Sequence, residues 1–420
     1  MTVTRLSVME ASAHMLAGIK PLGSEAVRVE QALERVLAHD VVSPIFLPPR
    51  DNASMDGFAV HADDVRGASA DRPVRLRVIG TIAAGGVPTR AIERGEAARI
   101  MTGAYVPSGA DSVVRVEDTS SDADVVSIVD DRDASRNIRS RGEDVRAEQV
   151  VMRAGTAMSA PHVGVLAAVG CATVGVYRTP RVAILATGDE LVTVDQFDQV
   201  LDGARIVSSN SYALAASVRA AGGEPVPLGI APDDPASLMA RLRDAEGCDL
   251  VLTSGGVSVG DFDYTRQVVT DLGGTLSLWR VRMRPGAPLG FGTVFGAPWL
   301  GLPGNPVSAL VTFELFGRPL IRMLSGNARP HRRTVGVSLA EPLTLGAPLT
   351  HFLRVTLERG DDTNLVARLT GAQSSGMLTS MSTADALMIV PPDPLEVPAG
   401  TMLRALPLSG DLGGSDRFLA

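Results

Sequence analysis

The sequence predicts a multidomain protein of the α/β plus β class, in which a doubly wound α/β domain is accompanied by β-rich regions. From Arg181 onward, short apolar runs alternate with helical patterns, which is typical of a mostly parallel sheet with helices on both faces. Residues 50–144 and 328–420 instead contain short apolar runs separated by Gly, Pro and Asp, a pattern typical of small β domains. A chain of 420 residues has room for about two to four such domains.

Two segments that flank the first β-rich region are predicted to be helical. Ser7 is placed to cap a first helix that runs to about Gly18. A second helix is predicted by an amphipathic stripe of Val29, Leu33, Val36 and Leu37. An apolar helical pattern returns within residues 162–176. We therefore expect residues 1–49 and 145–178 to form one discontinuous helical linker domain, with residues 50–144 inserted as a β domain.

The α/β domain is predicted to span residues 179–327, followed by a second small β domain over residues 328–420. Its strands are predicted at Arg181–Leu185, Pro225–Ile230, Asp249–Thr253 and Ser277–Met283. Its helices are predicted at Ser211–Ala221, after Asp234, at Tyr264–Leu272 and at Pro306–Met323. In such a sheet, the binding site is expected where the strands end.

Composition narrows the classes of function. The formal net charge of −8 argues against a nucleic-acid-binding protein with a basic surface. No apolar run approaches the roughly 20 residues of a membrane helix, and no secretory signal is evident, so we expect a cytoplasmic protein. Cys171 and Cys248 are isolated and are interpreted as reduced core thiols. The scattered histidines argue against a zinc enzyme.

The loop from Thr253 to Gly260 is the strongest candidate for an anion site. It joins an apolar strand to a helix, and its glycines allow the backbone to approach a ligand at the helix start. It is neither a Walker A motif nor a dinucleotide fingerprint. The alternative is a tight turn in which Asp261 or Asp263 only caps the following helix.

Acidic residues recur after the strands of this sheet. Glu190 follows the first strand, Asp233 and Asp234 follow the next, and Asp261 and Asp263 follow the third. Because the carboxyl ends of parallel strands meet at one edge, these carboxylates can share one Mg²⁺ ion. The alternative is that each residue merely caps its own helix.

Three arginines at alternate positions indicate an oxyanion site. Arg280, Arg282 and Arg284 would lie on one face of a single strand. Guanidinium groups suit phosphate and other tetrahedral anions, although a solvated strand face is the alternative. A second turn before a helix, at Gly301–Ser308, places Asn305 as a cap and Pro306 at the first helical position.

Seven motifs in order resemble one known family. They are SMDGFAV at 54–60, IMTGA at 100–104, NIRSRGED at 137–144, TGDEL at 187–191, SNSYAL at 209–214, TSGGVSVGDFDY at 253–264 and GLPGNPVSA at 301–309. Together they resemble the molybdopterin molybdenumtransferases, the MoeA and gephyrin E-domain family. Each motif is weak alone, but seven in this order span nearly the whole chain.

The resemblance implies a function in molybdenum cofactor biosynthesis. The family inserts molybdate into adenylylated molybdopterin with Mg²⁺, cleaving the pyrophosphate link and releasing AMP. It also implies a homodimer, a C-terminal β-barrel, and a site between the α/β domain of one subunit and the β insertion of the other. The molybdopterin adenylyltransferase and the molybdoenzymes that receive the cofactor are the implied partners.

The resemblance also implies roles for individual residues. The β insertion would contribute Asp56, Thr102 and Asp144 across the dimer. The α/β domain would hold Mg²⁺ through Glu190, Asp233 and Asp263. Cofactor binding would involve Ser254, Gly255, Gly256, Arg280, Arg284, Pro303, Asn305 and Pro306, with Arg354 and Ser375 from the barrel.

One motif departs from the family pattern. The usual KPGKP is replaced by Arg284-Pro285-Gly286-Ala287-Pro288, so that one charge is kept as arginine and another is lost. Two alternatives therefore accompany the enzyme hypothesis. The first is a non-catalytic molybdopterin-binding scaffold or specialised paralogue, which Ala287 favours. The second is an adenylyltransferase that acts on molybdopterin. The long domains that flank the α/β domain argue against this second alternative.

Overall fold

The central sheet of the α/β domain has the strand order that brings its loops to one edge. In the computed structural model, which describes residues 6–256, 264–360 and 364–409, six strands form this sheet. In chain order they are β1 (Arg181–Thr187), β2 (Glu224–Ala231), β3 (Leu250–Ser254), β4 (Thr275–Arg280), β5 (Pro288–Val294) and β6 (Ala297–Leu302). The spatial order is β2-β1-β3-β6-β5-β4. Strands β2, β1, β3 and β6 are mutually parallel, and β5 runs antiparallel to β6 and to β4.

Five helical segments accompany the sheet: α1 (Ser209–Ala221), α2 (Pro235–Arg243), α3 (Thr265–Asp271), α4 (Pro306–Thr312) and α5 (Arg318–Leu324). A single π turn, Phe313–Gly317, joins α4 to α5. Adjacent residues of strand β1 point to opposite faces of the sheet, and both faces are buried. Val182 packs in the core that includes α1 and α5, while Ala183 packs in the core that includes α2 and α3.

A closed five-stranded barrel forms the C-terminal domain. Its strands, in order around the barrel, are Thr350–Arg359, Leu365–Leu369, Val335–Leu339, Met402–Pro407 and Ala386–Val390, and the last pairs with the first. The short strand Met283–Arg284 adds to this sheet by pairing in parallel with Thr350–His351. A helix at Leu378–Ser382 and a strand pair, Leu343–Thr344 with Glu396–Val397, complete the domain.

The chain divides into two compact units. One comprises Met1–Ala38, Gly155–Met158 and Val174–Ala420, and the other comprises His39–Ala154 and Ser159–Thr173. The second unit contains a six-stranded sheet, two strand pairs and two helices. The sheet runs in the order Ser112–Arg115, Gly57–Val60, Glu96–Ile100, Val74–Ile82, Val125–Ile128 and Thr119–Asp122. The two strand pairs are Asn52–Ala53 with Ile138–Arg139, and Val41–Val42 with Val150–Met152. The two helices are Ala62–Val65 and Ala160–Ala168.

The predicted second N-terminal helix is wrong. The first helix does form, at Val8–Leu16, and Ser7 caps it as expected. The following segment forms a strand, Ser24–Arg28, and a single 3-10 turn, Val29–Gln31. Glu34 has a φ of 64°, which no helix interior accommodates. Within the apolar stripe, Val36 and Leu37 are instead buried where they form long-range bridges with Ala157 and Val176, whereas Leu33 is exposed.

The predicted fold class is confirmed, and each predicted strand and helix of the α/β domain has a counterpart within the described residues. The domain boundaries drawn from the sequence stay predictions. In the described ranges, no helix is long and apolar enough to cross a membrane. Cys248 is buried, whereas Cys171 is only half-buried, and both thiols are free.

Candidate functional site

A cavity of about 520 Å³ opens at the carboxyl ends of the parallel strands. We call it the strand-end pocket. Parallel strands place their following loops at one edge, and four such loops contribute here. Its lining residues are Ala186, Thr187, Gly188, Glu190, Leu191, Ile206, Val207, Ser208, Ser209, Asn210, Asp233, Ser254, Gly255, Gly256, Gly304, Asn305 and Pro306. The structure thus brings together seven of the residues that the sequence predicted for the site.

The glycine turn after β3 forms one wall of the strand-end pocket. Gly255 and Gly256 both have positive φ, at 93° and 63°. A Cβ atom on Gly255 would lie 2.7 Å from the carbonyl oxygen of Thr187, so the close approach of the two chains requires glycine. The buried hydroxyls of Thr187 and Thr265, on either side of this turn, have no hydrogen-bond partner within the described residues.

Asn210 holds three parts of this pocket together. Its Nδ2 atom donates to the Ser254 hydroxyl and to the carbonyl of Gly304, each at 2.8 Å. It therefore ties the start of α1 to the end of β3 and to the turn before α4. Asn210 belongs to the motif SNSYAL, but no role was predicted for it. A signal was present, because an asparagine in the first turn of a helix next to a glycine turn is suited to such a link.

The start of α1 adds positive electrostatic potential. Ser209 and Asn210, in its first turn, line the pocket. The unpaired N–H groups of a helix start carry roughly half a positive charge, which favours an anion. The glycine turn and this helix start together form a surface suited to a phosphate group.

Another wall of the strand-end pocket is acidic. The amide of Asp233 donates to Asp189 Oδ1 at 3.1 Å, and the amide of Asp189 approaches Asp233 Oδ2 at 3.4 Å. Burial raises the pKa of Asp233, and the charges of Asp189 and Glu190 raise it further. Gathered carboxylates that repel one another fit a hard cation with oxygen ligands such as Mg²⁺.

The predicted Mg²⁺ ligand set is only partly visible. Glu190 and Asp233 both line the strand-end pocket, whereas Asp263 lies outside the described residues. Among the side chains that the structure describes, no group of three or more His, Cys, Asp or Glu is arranged to hold a metal. The Mg²⁺ site therefore stays a prediction.

A second cavity, of about 820 Å³, lies between the turn after β4 and the C-terminal barrel. We call it the barrel-side pocket. Arg284, Ala287, Pro303, Asn305, Arg354, Gln373 and Ser375 are among its lining residues. Asn305 lines both pockets, so the two cavities adjoin.

Arg354 is a fully buried cation in the wall of the barrel-side pocket, with 0% of its surface exposed. Its guanidinium donates to the carbonyls of Ala372, Gln373 and Ser374 and to the Ser380 hydroxyl, at 3.0 to 3.3 Å. No carboxylate of the described residues pairs with it. Burial lowers its pKa. Arg354 thus fixes the loop 372–374 and contributes an uncompensated positive charge.

That loop delivers Ser375 to the boundary between the pockets. The Ser375 hydroxyl accepts a hydrogen bond from Asn305 Nδ2 at 3.1 Å, and its carbonyl accepts from the amide of Val307. Ser375 is therefore fixed against the start of α4. The sequence prediction placed Arg354 and Ser375 in one site, and the structure brings them to one cavity.

The prediction that three arginines share one strand face is wrong. Arg280 ends β4, whereas Arg284 belongs to the strand that pairs with the barrel. The chain changes sheets between them, and the amide of Arg282 donates to Leu6. Of the three, Arg284 lines the barrel-side pocket, and neither Arg280 nor Arg282 is among the described residues that line either pocket.

The residues predicted from the β insertion lie in the second unit. Asp56 Oδ1 accepts from both the amide and the hydroxyl of Thr102, each at 2.7 Å. These hydrogen bonds, the amide first, hold the pKa of Asp56 below its usual value. Asp144 is exposed in the same unit. Their contribution to the site of another subunit stays a prediction.

Three family models match successive parts of the chain. They describe the MoeA N-terminal region, domains I and II (residues 6–170), a probable molybdopterin binding domain (residues 183–323) and the MoeA C-terminal region, domain IV (residues 337–408).

Curated relatives and a solved structure agree with these models. The molybdopterin molybdenumtransferase of a Nostoc species is 39% identical over 88% of this chain and 85% of that protein. Molybdopterin molybdenumtransferase 2 of Mycobacterium tuberculosis is 38% identical over 94% of this chain and 97% of that protein. The crystal structure of the molybdopterin biosynthesis moeA protein from Pyrococcus horikoshii matches with a TM-score of 0.82 and 28% identity, covering 96% of this chain and 100% of that one.

Proposed function

The chain belongs to the MoeA family of molybdenum cofactor biosynthesis, and we propose that it is a transferase that delivers molybdenum to molybdopterin. Its substrates are adenylylated molybdopterin and molybdate, and AMP is released when the pyrophosphate link is cleaved. One observation carries the proposal: two adjoining cavities share Asn305, one suited to a phosphate and a cation, the other to an oxyanion.

The strand-end pocket takes the pyrophosphate link. Gly255 and Gly256 let the backbone approach a phosphate oxygen, and the start of α1 favours its charge. Glu190 and Asp233 would hold Mg²⁺, with Asp263 as the third expected ligand. When bound, Mg²⁺ supplies the positive charge that stabilises the scissile phosphate as its bond breaks.

The barrel-side pocket takes molybdate. Arg284 provides a forked donor for a tetrahedral oxyanion, and the buried charge of Arg354 strengthens the attraction because burial limits solvent screening. Ser375, fixed by Asn305, presents its hydroxyl beside both pockets. Pro303 and Pro306 shape the walls on either side of Asn305. Arg280 is assigned to cofactor binding only by the family resemblance.

The chemistry requires positioning rather than a protein nucleophile. The dithiolene sulfurs of molybdopterin attack molybdenum as molybdenum–oxygen bonds break, and the displaced oxygen leaves as water with the protons of the thiols. The protein holds the two substrates at adjoining pockets. Bringing reactants together in this way removes much of the entropic barrier. The acidic and basic walls stabilise opposite charges on either side of Asn305.

The homodimer is the second part of the proposal. Exposed apolar side chains lie in α1 and the segment that leads into it, at Val194, Phe197, Leu201, Ile206 and Tyr212, and Ile206 also lines the strand-end pocket. Such a patch is a recognised feature of protein interfaces. In a homodimer, Asp56, Thr102 and Asp144 of one subunit complete the strand-end pocket of the other. We also expect the protein to act in the cytoplasm, between the molybdopterin adenylyltransferase and the molybdoenzymes.

Release of AMP tests the activity. Purified protein with adenylylated molybdopterin and Mg²⁺ should release AMP only when molybdate is added. Absence of molybdate-dependent release, with substrate still bound, would overturn the transferase and favour the non-catalytic scaffold, the alternative that Ala287 supports.

Mixing two inactive variants tests the shared site. Asp56→Asn and Asp233→Asn homodimers should each be inactive, and mixed dimers should recover activity because one of their two sites carries neither change. Exchange of subunits between the dimers should be verified independently. If activity is still not recovered, then either Asp56 and Asp233 act in a site formed by one subunit, or Asp56 lies outside the site.

A further inference from the structure

A separate cluster of arginines surrounds one buried carboxylate at the π turn between α4 and α5. Arg332 Nε donates to Glu314 Oε1 at 2.5 Å, and Arg318 Nε lies 3.3 Å from the same oxygen. The side chains of Glu314, Arg318 and Arg332 are only 12%, 12% and 18% exposed. This cluster is distinct from the residues of both pockets described above.

The charges in the cluster do not balance. Arg318 interacts electrostatically with Arg332, Arg322 and Glu314. Together with Arg318 itself, the cluster therefore contains three cations and one anion. Burial, followed by repulsion from Arg332, lowers the pKa of Arg318 to about 10. Uncompensated charge in a poorly solvated place is costly, so a counter-anion would stabilise this arrangement.

Two nitrogens of Arg318 remain unused. Neither Nε nor Nη1 has a hydrogen-bond partner in the described part of the chain, although both are out of contact with solvent. The approach of Nε to Glu314 is an ion pair without hydrogen-bond alignment. Unsatisfied buried donors are rare in proteins and require an explanation.

A cavity of about 240 Å³ adjoins these groups. Arg318, Arg332 and Glu314 form its polar part, and Ser217 of α1, Phe313 and Met381 contribute to the rest. Its volume is below the range of about 300–1,000 Å³ that drug-sized ligands occupy, so it suits a small ion.

The local backbone is also unusual. Phe313–Gly317 forms a π turn inside an otherwise α-helical rod, and this turn contains Glu314 and directly precedes Arg318. Such turns are rare and occur frequently at functional sites, because the extra residue redirects the side chains that follow it. Here the turn lies beside Arg318.

We propose that this cavity is a binding site for a small oxyanion of the size of phosphate, held by Arg318 and Arg332. The anion accepts hydrogen bonds from the unused guanidinium nitrogens and offsets the excess positive charge. Arg318 turns toward the cavity to present them.

The site is separate from the proposed transferase site but connected to it. Helices α1 and α4 both begin at the strand-end pocket. Ser217 lies eight residues along α1 from Ser209, which corresponds to about 12 Å of helix. The inference does not depend on the transferase activity, and its tests measure binding alone.

Thermal unfolding of the full chain tests the proposal. Inorganic phosphate at millimolar concentration should raise the melting temperature by a few degrees relative to sodium chloride of equal ionic strength. Arg318→Leu should remove most of this increase. The variant is expected to fold, because replacing a buried ion by an apolar residue is often tolerated. Loss of the phosphate effect in Arg284→Ala instead, with Arg318→Leu unaffected, would assign binding to the barrel-side pocket and overturn the proposal.

Arg368→Leu is the matched control, because Arg368 forms an exposed ion pair with Glu341 and should not alter the phosphate effect. A crystal grown with selenate, whose selenium is detectable by anomalous scattering, gives a second readout that is independent of stability. A peak beside Arg318 and Arg332 supports the site. An empty cavity, with Arg318 hydrogen-bonded to Glu314 or to water, overturns it.

Discussion

The strand-end pocket and the barrel-side pocket adjoin in one compact unit and share Asn305, yet their charges are opposite. Glu190 and Asp233 line the strand-end pocket and Asp189 is hydrogen-bonded to Asp233, so the mutual repulsion of these carboxylates favours a cation. The barrel-side pocket contains Arg284 and the unpaired buried charge of Arg354, which favour an anion. This contrast supports the proposal that metal and oxyanion are bound by separate parts of the protein, with the Asn305 side chain between them.

Changing Asp233 should have the largest effect and would establish what the acidic wall does. We expect Asp233→Asn to reduce Mg²⁺-dependent AMP release by more than about 100-fold, because a carboxylate ligand of the metal is lost. Asp234→Asn is the matched control. Asp234 caps α2 by accepting from the amide of Ser237 at 2.8 Å, and asparagine caps equally well. Equal losses in the two variants would mean that Asp233 has only a structural role.

The pH dependence of stability gives a second measurement on the same variant. The folded-state pKa of Asp233 is raised, so its ionised form destabilises the fold. This cost is absent below the unfolded pKa and is fully present above the raised folded pKa. Without Mg²⁺, Asp233→Asn should therefore become more stable than the parent as pH rises toward neutrality. Thermal unfolding at a series of pH values measures this, and a constant difference would contradict the proposed repulsion.

Changing Arg284 tests the basic pocket. Loss of a charge-assisted hydrogen bond is worth about 1.5–3 kcal/mol, so Arg284→Ala should raise the KM for molybdate by about 10- to 100-fold. The KM for adenylylated molybdopterin should stay nearly constant, because the strand-end pocket is unchanged. Arg282→Ala is the control, since Arg282 is exposed and outside both pocket linings. A larger change in the KM for molybdopterin would mean that the two pockets do not divide the substrates as proposed.

Arg354 acts as a positioning residue, and its removal should affect stability as well as molybdate binding. Arg354→Met leaves three carbonyls without their donor, and this loss is offset partly by removal of a buried cation. We expect a loss of about 1–3 kcal/mol in the free energy of unfolding, measured with urea. Arg368→Met should cost less than about 1 kcal/mol, because exposed ion pairs contribute little. A molybdate KM that rises in Arg354→Met and is largely rescued in Arg354→Lys would confirm the contribution of charge.

Asn305 should give the smallest effect, on both pockets at once. Asn305→Ala removes the hydrogen bond to Ser375, worth about 0.5–1.5 kcal/mol. We expect the KM values of both substrates to rise by less than about tenfold, measured by steady-state AMP release. Asn305→Asp, which keeps the size but exchanges the donor for a charge, should impair molybdate binding more than alanine does. An effect on one substrate alone would show that the pockets are independent.

The sequence predicted the α/β domain well, because its strands are local apolar runs that a parallel sheet buries on both faces. Leu250–Leu252 illustrates this, since the run and the observed β3 coincide. The segment after Val29 was mispredicted because its apolar residues follow a helical period, while long-range pairing of Leu37 determines the conformation. Local pattern cannot predict such pairing.

The sequence predicted several residues of the site, but not the hydrogen bonds that hold those residues in place. Glu190, Asp233 and Gly255 were expected at the strand ends, since topology alone gathers them there. The role of Arg354 was not predictable, because its carbonyl partners lie some twenty positions away and their loop conformation is not visible in the sequence. The prediction that three arginines share one strand face was wrong for a related reason. The chain leaves one sheet after Arg280 and joins another at Met283.

That change of sheet limits how the protein can be recombined. Met283 and Arg284 belong in sequence to the α/β domain but in hydrogen bonding to the barrel, where they pair with Thr350 and His351. A chimera that exchanges only residues 335–409 for those of a relative would leave a foreign strand in the new barrel. Modular exchange would therefore have to carry the segment from Val281 to Ala287 together with the barrel, and the proposed oxyanion selectivity would be inherited from two separate stretches of the gene.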